Sequence, residues 1–284
     1  MIETTCKTKL AAILGNPVAH SLSPKMHSYL AENTGISMAY LAFCIEEKDL
    51  KPILDGARHE GIWGFNVTSP FKTVVLPFLN EIDEESKKIG SVNTVVSRNG
   101  KLYGSNTDGE GFIRSLLRRG VTIEGKHVLL IGSGGTARTM TYKFAQKGAA
   151  SVTVSSRKRE TAQKLAPLVA DFPSAVFFDC YRETMQYDIV VNCTPFGMEP
   201  HEDKNPMPQG LVPKEGMTFC DLIYNPPETL FLKQAKSSGA TVINGLDMLL
   251  YQGVLAFERF TDTIVSESVV DGLFNLFEQD MELI

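Results

Sequence analysis

The stretch His127-Val-Leu-Leu-Ile131-Gly132-Ser133-Gly134-Gly135-Thr136-Ala137 joins an apolar run to a glycine-rich turn, and a helical pattern follows. Such a run is typical of a central parallel strand that is buried on both faces. The spacing G-x-G-x-x-A after a strand matches the dinucleotide fingerprint, in which glycines permit a tight turn and a close approach to a pyrophosphate. The loop from Gly132 to Ala137 is therefore the predicted cofactor-phosphate site. The alternative is an ordinary glycine-rich turn.

The basic segment Ser155-Ser156-Arg157-Lys158-Arg159 ends the next predicted strand. Enzymes that use NAD usually carry an acid at this place, where it accepts from the ribose 2′-hydroxyl. Guanidinium and ammonium groups instead hold a 2′-phosphate that a carboxylate would repel. The segment favours NADP, with Ser156, Arg157 and Lys158 as its contacts. The alternative is a solvated basic helix start, although positive charge there opposes the helix dipole.

Short apolar runs alternate with helical patterns on both sides of this unit, which predicts βαβ architecture and a doubly wound sheet around the glycine loop. The dipeptide Asn99-Gly100 predicts a local hairpin, because it supplies the positive φ angles of a tight turn. The pattern restarts near Gly109, where we place a domain boundary. The predicted helices are Pro24–Asn33, Glu47–His59, Phe71–Leu79, Gly109–Arg119, Thr136–Lys147, Arg159–Val169, Asp247–Thr261 and Ser268–Leu283.

Composition excludes several classes of protein. The 284 residues carry a net charge of −5, which lacks the basic footprint of nucleic-acid binding. The five cysteines form no C-x-x-C pair, and no apolar run is long enough for a signal peptide or a membrane span. The five histidines are scattered, so we expect no metal. These features predict a cytoplasmic chain without membrane or nucleic-acid partners.

Polar residues follow two predicted strands of the first domain. Lys72 lies beyond the strand that ends at Val67, and Asp108 follows the strand that ends at Ser105. One lysine and one aspartate brought together form a candidate proton-transfer pair. The alternative is a surface lysine and an aspartate that caps the next helix.

Two serines, Ser21 and Ser23, precede Pro24 at a predicted helix start. Ser23 could simply be the N-cap of that helix. Two hydroxyl groups at this spacing, assisted by backbone N–H groups, could equally bind a small carboxylate.

Seven motifs in order closely resemble the shikimate dehydrogenase family, from about residue 9 to residue 261. They are His20-Ser21-Leu-Ser23-Pro24, Phe65-Asn66-Val-Thr68-Ser-Pro70-Phe-Lys72, Ser91-Val-Asn93-Thr94, Asn106-Thr107-Asp108, Asn192-Cys-Thr194-Pro195-Phe-Gly197-Met198, Asp221-Leu-Ile-Tyr224-Asn-Pro226 and Asn244-Gly245-Leu-Asp-Met248-Leu-Leu-Tyr-Gln252-Gly253. The resemblance implies NADPH-dependent reduction of 3-dehydroshikimate to shikimate, in aromatic amino acid biosynthesis.

The resemblance also implies a role for each matching residue. Lys72 and Asp108 would be the catalytic pair, and Ser21 and Ser23 would bind the substrate carboxylate. The other implied substrate contacts are Asn66, which would support the site, and Thr68, Asn93, Tyr224 and Gln252. The other implied cofactor contacts are Thr194, Pro195, Phe196, Gly245 and Met248.

The resulting fold expectation is an α/β chain with three segments. Residues 1–108 form a substrate-binding catalytic domain, residues 109–246 form a Rossmann-like NADP-binding domain, and residues 247–284 form helices that return to the first domain. The chain is expected to be a monomer or a homodimer.

The cofactor half departs from the family pattern. Ser156-Arg157-Lys158 replaces the usual Asn-Arg-Thr, and Ser133 and Thr136 stand where alanines are common. Two alternatives stay open at this point. One is a catabolic quinate/shikimate dehydrogenase, against which Ser23 weighs because quinate-using members often carry Thr there. The other is a cofactor-bound sensor without turnover, which would not need both Lys72 and Asp108.

Overall fold

A computed structural model describes residues 5–59, 61–156, 159–178 and 186–282. The described strands are β1 Lys9–Gly15, β2 Met38–Cys44, β3 Ile62–Val67, β4 Glu81–Ile82, β5 Thr94–Arg98, β6 Lys101–Ser105, β7 His127–Ile131, β8 Ser151–Ser155, β9 Ala175–Phe178, β10 Ile189–Asn192, β11 Thr218–Asp221 and β12 Thr241–Ile243. The described α-helices are α1 Ser23–Thr34, α2 Glu47–Gly56, α3 Glu84–Ile89, α4 Asp108–Arg118, α5 Gly135–Gln146, α6 Arg159–Gln163, α7 Leu230–Ser237, α8 Leu246–Thr261 and α9 Glu267–Glu282. None of these helices is both long and apolar enough to cross a membrane.

The chain divides into two compact units. The first unit contains residues 1–111 and 250–284, and the second contains residues 112–249. The division falls within α4 and again within α8, slightly beyond the predicted boundaries after residues 108 and 246. In the first unit, α9 packs against α1, so the last helix of the chain lies with the first.

The first unit is built on a six-stranded sheet with the order β2-β1-β3-β5-β6-β4. The three leading strands are parallel, and β5 pairs antiparallel with both β3 and β6. The predicted hairpin is confirmed, because Asn99 and Gly100 have φ angles of 51° and 74° between paired residues Arg98 and Lys101. This arrangement carries the carboxyl ends of β3 and β6 to the same edge of one sheet, with β5 between them.

The second unit is a six-stranded parallel sheet with the order β12-β11-β10-β7-β8-β9, which is the classical doubly wound order. Its central strand β7 is buried on both faces, as its composition predicts. Val128 and Leu130 pack in one apolar cluster with Phe144 of α5. Leu129 and Ile131 pack in another with Phe231 of α7.

Two predicted helices are wrong. Phe71–Leu79 forms turns and one short 3₁₀-helix, Leu76–Phe78, because Pro77 has no amide hydrogen to continue a helix. The predicted helix Arg159–Val169 is likewise shortened to α6 and a 3₁₀-helix, Ala166–Val169, which has Pro167 at its start. The sequence pattern also missed β4, α3 and α7.

Candidate active site

Lys72 and Asp108 meet in the first unit, at the carboxyl ends of β3 and β6. The ammonium Nζ of Lys72 lies 2.6 Å from Oδ2 of Asp108, and their side chains are 31% and 11% exposed. The capping alternative for Asp108 is wrong, because Asp108 is itself the first residue of α4 and its carboxylate turns to Lys72. A partly buried ammonium group held by a carboxylate can donate and recover a proton.

Asn93 holds the second carboxylate oxygen of this pair. Its Nδ2 group donates to Oδ1 of Asp108 at 2.8 Å, and its Oδ1 accepts from the backbone N–H of Thr107 at 2.8 Å. Gln252 lies beside it, with 3.5 Å between Asn93 Nδ2 and Gln252 Oε1. The structure therefore gathers four of the predicted site residues, Lys72, Asn93, Asp108 and Gln252.

A glycine brings Gln252 to this position. A Cβ atom on Gly111 of α4 would lie 2.7 Å from the backbone nitrogen of Gln252 on α8. The absence of a side chain at Gly111 therefore lets the two backbones approach closely enough for Gln252 to reach Asn93.

The capping alternative for Ser23 is also wrong. Helix α1 begins at Ser23 itself, and its N-cap residue is Leu22, whose side chain makes no capping hydrogen bond. Instead, the backbone N–H of Ser23 donates to Oγ of Ser21 at 3.2 Å. The two serines thus lie together at a helix start, whereas Thr68 lies directly after β3 with its own N–H bonded to Leu14. No described contact joins Ser21 or Thr68 to the Lys72–Asp108 pair.

Asn66 lies on β3 and is only 6% exposed. Its neighbour Tyr40 on β2 is 5% exposed and donates to Oδ1 of Asn66 at 2.7 Å. Burial raises the pKa of Tyr40 well above its usual range, and a hydrogen bond with Ser23 opposes that rise. Tyr40 is therefore a neutral phenol near neutral pH.

His27 stacks flat on the ring of Tyr40, with 4.0 Å between ring centroids and 5° between the planes. It is fully buried, and a contact with the Asn66 side chain only partly offsets the effect of that burial on its pKa. Burial lowers the pKa of His27 from 6.5 to about 3. The imidazole consequently stays neutral in the folded protein near neutral pH.

This histidine makes stability depend on pH. The unfolded chain takes up a proton on His27 as the pH falls below 6.5, whereas the folded chain does so only near pH 3, so acidification favours unfolding. We expect His27→Leu to remove about 1.4 kcal/mol per pH unit from the slope of unfolding free energy between about pH 4 and pH 6. Urea unfolding over that range measures the slope.

His20 provides the matched control, because its side chain is exposed. His20→Leu should leave the slope of unfolding free energy close to that of the parent protein. Equal slopes in the two leucine variants would show that the burial of His27 does not set the pH dependence.

The glycine loop of the second unit is shaped for an anion. Gly132 has a φ angle of 111°, and a Cβ atom there would lie 3.0 Å from Thr194 Cγ2. Gly134 and Gly135 are exposed, and a Cβ atom on either would meet no described atom within 4 Å. The N-cap residue of α5 is Gly134, and no side-chain cap is made there among the described residues, so the first N–H groups of the helix can face a ligand. These residues fit the pyrophosphate of a dinucleotide.

The structure also joins this loop to the end of β8. The hydroxyl groups of Ser133 and Ser156 lie 2.8 Å apart. Ala137 is fully buried where α5 begins, and Thr136 remains partly exposed. Arg157 and Lys158, which the sequence predicts to contact the 2′-phosphate of NADP, lie outside the described residues.

The segment Thr194 to Phe196 is held by Asn192 at the end of β10. Oδ1 of Asn192 accepts from the backbone N–H and the hydroxyl of Thr194 at 2.9 and 2.7 Å, and its Nδ2 donates to the Phe196 carbonyl at 3.0 Å. The same Nδ2 group donates to Asp221 at 3.0 Å. Pro195 is exposed between them.

Asp221 accepts hydrogen bonds from three places in the second unit, which are the end of β10, the turn after β11 and the start of α7. Its carboxylate accepts from Asn192, from the hydroxyl of Thr229 at 2.7 Å and from the backbone N–H of Ile223 at 3.1 Å. Burial raises the pKa of Asp221, and these three bonds oppose that rise. Asp221 therefore fixes the turn after β11, which carries Tyr224.

Tyr224, Gly245 and Met248 complete the predicted residues of the second unit. Tyr224 is partly buried, and burial raises the pKa of its phenol. A Cβ atom on Gly245 would lie 2.3 Å from the carbonyl oxygen of Leu222, so only glycine fits there. Met248 packs against the apolar cluster of the sheet.

Sequence reasoning missed the polar residues that support these sites. It gave no role to Tyr40, Thr94, Thr107, Asn192 or Asp221. A usable signal was present for the last two, since both stand at the carboxyl ends of parallel strands. Among the described residues, no group of three or more His, Cys, Asp or Glu side chains could hold a metal ion.

Three family profiles match successive parts of the chain. Residues 13–95 match "Shikimate dehydrogenase substrate binding domain", residues 115–222 match "Shikimate / quinate 5-dehydrogenase", and residues 245–270 match "Shikimate 5'-dehydrogenase C-terminal domain". Together they cover parts of both units. The matched ranges contain Lys72 and the glycine loop, whereas Asp108 lies between the first two ranges.

Individual relatives cover almost the whole chain. A shikimate dehydrogenase (NADP(+)) of Bacillus cereus is 41% identical over 260 residues, covering 90% of this chain and 94% of the relative. The structure of shikimate 5-dehydrogenase from Thermus thermophilus, in complex with NADP(H) and shikimate, is 34% identical with a TM-score of 0.83, covering 94% and 98% of the two chains. A 5-ketofructose reductase of Gluconobacter is 31% identical with a TM-score of 0.84, covering 96% and 100%.

Proposed function

The chain belongs to the shikimate dehydrogenase family, and from this premise we propose that it catalyses the reversible NADPH-dependent reduction of 3-dehydroshikimate to shikimate. This reaction is a step of aromatic amino acid biosynthesis. The likeness to a 5-ketofructose reductase means that the fold alone does not select the substrate, so the proposal depends on the site.

The observation that carries the proposal is the ion pair of Lys72 and Asp108, 2.6 Å apart and shielded from solvent on the Asp108 side. A protein that only sensed a dinucleotide would not need this pair in its first unit. Reduction of a ketone needs a proton for the oxygen as its negative charge develops. Lys72 is the group that supplies it.

NADPH, when bound, supplies the hydride that adds to the carbonyl carbon of the substrate. The ammonium group of Lys72 donates a proton to the carbonyl oxygen in this direction, and its neutral amine recovers a proton from the alcohol in the reverse direction. Asp108 orients the Nζ atom through the 2.6 Å bond, while Asn93 holds the other carboxylate oxygen. The pair thus presents one proton at one position.

The remaining contacts are proposed from the family and are compatible with the described surroundings. Ser21 and Ser23 at the start of α1 offer two hydroxyl groups to the substrate carboxylate. Thr68, Asn93 and Gln252 offer hydrogen bonds to ring hydroxyl groups, and Tyr224 is assigned to the substrate as well.

The second unit is proposed to bind NADP. The residues that would hold it are Gly132 to Ala137 at the pyrophosphate and Ser156 to Lys158 at the 2′-phosphate. Gly245 and Met248 would lie along the nicotinamide, and the cofactor cleft would be lined by Thr194, Pro195 and Phe196. The uncapped start of α5 and the open space at Gly134 and Gly135 support the phosphate assignment.

Arg157 should dominate the choice between NADPH and NADH. Its guanidinium can make paired bonds to a 2′-phosphate, and charge-assisted hydrogen bonds contribute about 1.5–3 kcal/mol each. We therefore expect Arg157→Ala to raise the KM for NADPH roughly tenfold or more, with little change for NADH. Steady-state kinetics with both cofactors measure the ratio.

Lys158→Ala is the companion variant, because it removes a neighbouring charge without the planar fork. Its effect should be smaller and largely lost at high salt. Equal losses with NADPH and NADH in Arg157→Ala would indicate a role in the fold, and a parent protein that prefers NADH would overturn the NADP assignment.

The proposal is tested by assaying the purified protein with shikimate and quinate, each with NADP⁺ and NAD⁺, and with 5-ketofructose and NADPH. We expect the highest kcat/KM for shikimate with NADP⁺. Higher efficiency with quinate would indicate the catabolic type, and turnover of 5-ketofructose alone would refute the substrate assignment.

The cytoplasm is the proposed location, and a monomer or homodimer is the proposed assembly. The four cysteines in the described ranges are all free, which suits a reducing compartment.

A further inference from the structure

A buried chain of hydrogen bonds leads from Tyr40 on β2 to the ion pair. The phenol of Tyr40 donates to Oδ1 of Asn66 at 2.7 Å, and Nδ2 of Asn66 donates to Oγ1 of Thr94 at 3.2 Å. Thr94 Oγ1 then donates to Oδ1 of Asn93 at 2.9 Å, and Nδ2 of Asn93 donates to Asp108 at 2.8 Å. This chain of hydrogen bonds links residues of β2, β3 and β5, and it ends at the Asp108 carboxylate that binds Lys72.

The donors in this chain all point toward Asp108, and the surroundings permit no other direction. The backbone N–H of Thr107 can only donate, so the oxygen of Asn93 must face it and the Asn93 Nδ2 group must face the carboxylate. The backbone carbonyl oxygen of Asn93 can only accept a hydrogen bond, so Nδ2 of Asn66 must face it at 3.2 Å. Oδ1 of Asn66 is left to Tyr40, whose hydroxyl must then donate.

The members of the chain are enclosed by protein. Thr94 is fully buried, and Tyr40, Asn66 and Asn93 are between 3% and 6% exposed. A buried amide that loses a partner pays the desolvation cost of that group, because water cannot replace the bond. The stacked ring of His27 fixes the plane of the Tyr40 phenol.

We infer that Tyr40 and Thr94 are positioning residues for the reaction, acting through Asn66 and Asn93 on Asp108. The inference rests on the proposed function for its kinetic part. Loss of the Tyr40 hydroxyl releases the oxygen of Asn66, which allows that amide to rotate away from Thr94. Thr94 and Asn93 then lose a fixed donor, and Asp108 is held by Lys72 with less support from Asn93.

The first test compares Tyr40→Phe with Tyr103→Phe. In Tyr40→Phe the ring still stacks on His27, and only the hydroxyl is lost. Tyr103 lies on β6 of the same sheet but is not a member of the hydrogen-bond chain. We expect Tyr40→Phe to lower kcat for shikimate oxidation five- to twentyfold with an unchanged KM for NADP⁺. Tyr103→Phe should retain parental kcat.

A double-mutant cycle separates positioning from a general structural role. In an Asp108→Asn background, Tyr40→Phe should change kcat less than twofold, because its effect passes through that carboxylate. An equal factor in both backgrounds, or parental kcat in Tyr40→Phe alone, overturns the inference.

Thr94 gives a second, independent variant pair. Thr94→Val keeps the shape and removes the hydroxyl, so its kcat should fall at least tenfold, whereas Thr94→Ser should recover most of kcat. Equal activity of the valine and serine variants also overturns the inference.

A readout without substrate or cofactor distinguishes failure of this inference from failure of the proposed function. Side-chain amide protons of Asn93 can be followed by NMR hydrogen exchange in the unliganded protein. We expect exchange at least fivefold faster in Tyr40→Phe and Thr94→Val than in the parent, and parental exchange in Tyr103→Phe. Unaltered exchange overturns the inference even when shikimate is turned over. Faster exchange supports it even when shikimate is not the substrate.

Discussion

Lys72→Ala is expected to lower kcat for shikimate oxidation by about 10² to 10⁴, the range typical of losing general acid–base catalysis. The variant removes the ammonium group 2.6 Å from Asp108 and leaves the glycine loop of the second unit untouched. Affinity for NADPH should therefore stay near the parental value. Steady-state kinetics and cofactor titration measure the two quantities.

Lys51→Ala is the matched control, because Lys51 also pairs with an aspartate, Asp55, but on an exposed helix surface. It should not change kcat. Lys72→Arg refines the test, since a guanidinium keeps the charge yet does not release a proton near neutral pH. Low activity in Lys72→Arg indicates proton transfer. Parental turnover in Lys72→Ala would remove Lys72 from the reaction.

The architecture of the second unit followed from the sequence because its signals are local. A strand such as His127–Ile131 is recognised by its apolar run, and the glycine loop by its spacing. The prediction of a doubly wound parallel sheet is confirmed by the strand order β12-β11-β10-β7-β8-β9. The family resemblance is confirmed by the three profiles and by the relatives.

Local signals failed where proline or distant partners decide the structure. The apolar spacing of residues 71–79 is typical of a helix. Pro77 has no amide hydrogen for an α-helical hydrogen bond, so only the 3₁₀ turn Leu76–Phe78 forms. Short elements such as α3 are too brief for periodicity to identify. The interior bonds were equally hidden, because Tyr40 and Asn66 are 26 residues apart and meet only after β1, β2 and β3 have assembled.

The site was recognisable in outline for the same reasons. The carboxyl ends of strands pointed to Lys72 and Asp108, and the structure brings the two together. The sequence could not indicate that Asn93 faces the second oxygen of Asp108, since that contact depends on how β5 and β6 pair. Which residues touch substrate and cofactor remains a prediction.

Asp108→Asn should lower kcat by roughly 10²-fold without unfolding the protein. Two donors face the two carboxylate oxygens, Lys72 Nζ at 2.6 Å and Asn93 Nδ2 at 2.8 Å. An asparagine has one oxygen and one NH₂ group, so in either orientation its NH₂ group would face another donor, either Lys72 Nζ or Asn93 Nδ2. The loss of one charge-assisted bond and this confrontation together amount to about 3 kcal/mol, which corresponds to about a hundredfold.

Asp83→Asn is the control that separates this role from helix capping. Asp83 is the N-cap of α3, where its carboxylate accepts from the backbone N–H of Ser86 at 2.6 Å. Aspartate and asparagine are nearly equivalent as N-caps, so Asp83→Asn should change neither kcat nor Tm appreciably. Asp108 differs because its carboxylate is directed at Lys72 rather than at the helix backbone, so charge rather than shape is what its substitution removes. Parental kcat with a lowered Tm in Asp108→Asn would reduce Asp108 to a structural residue of α4.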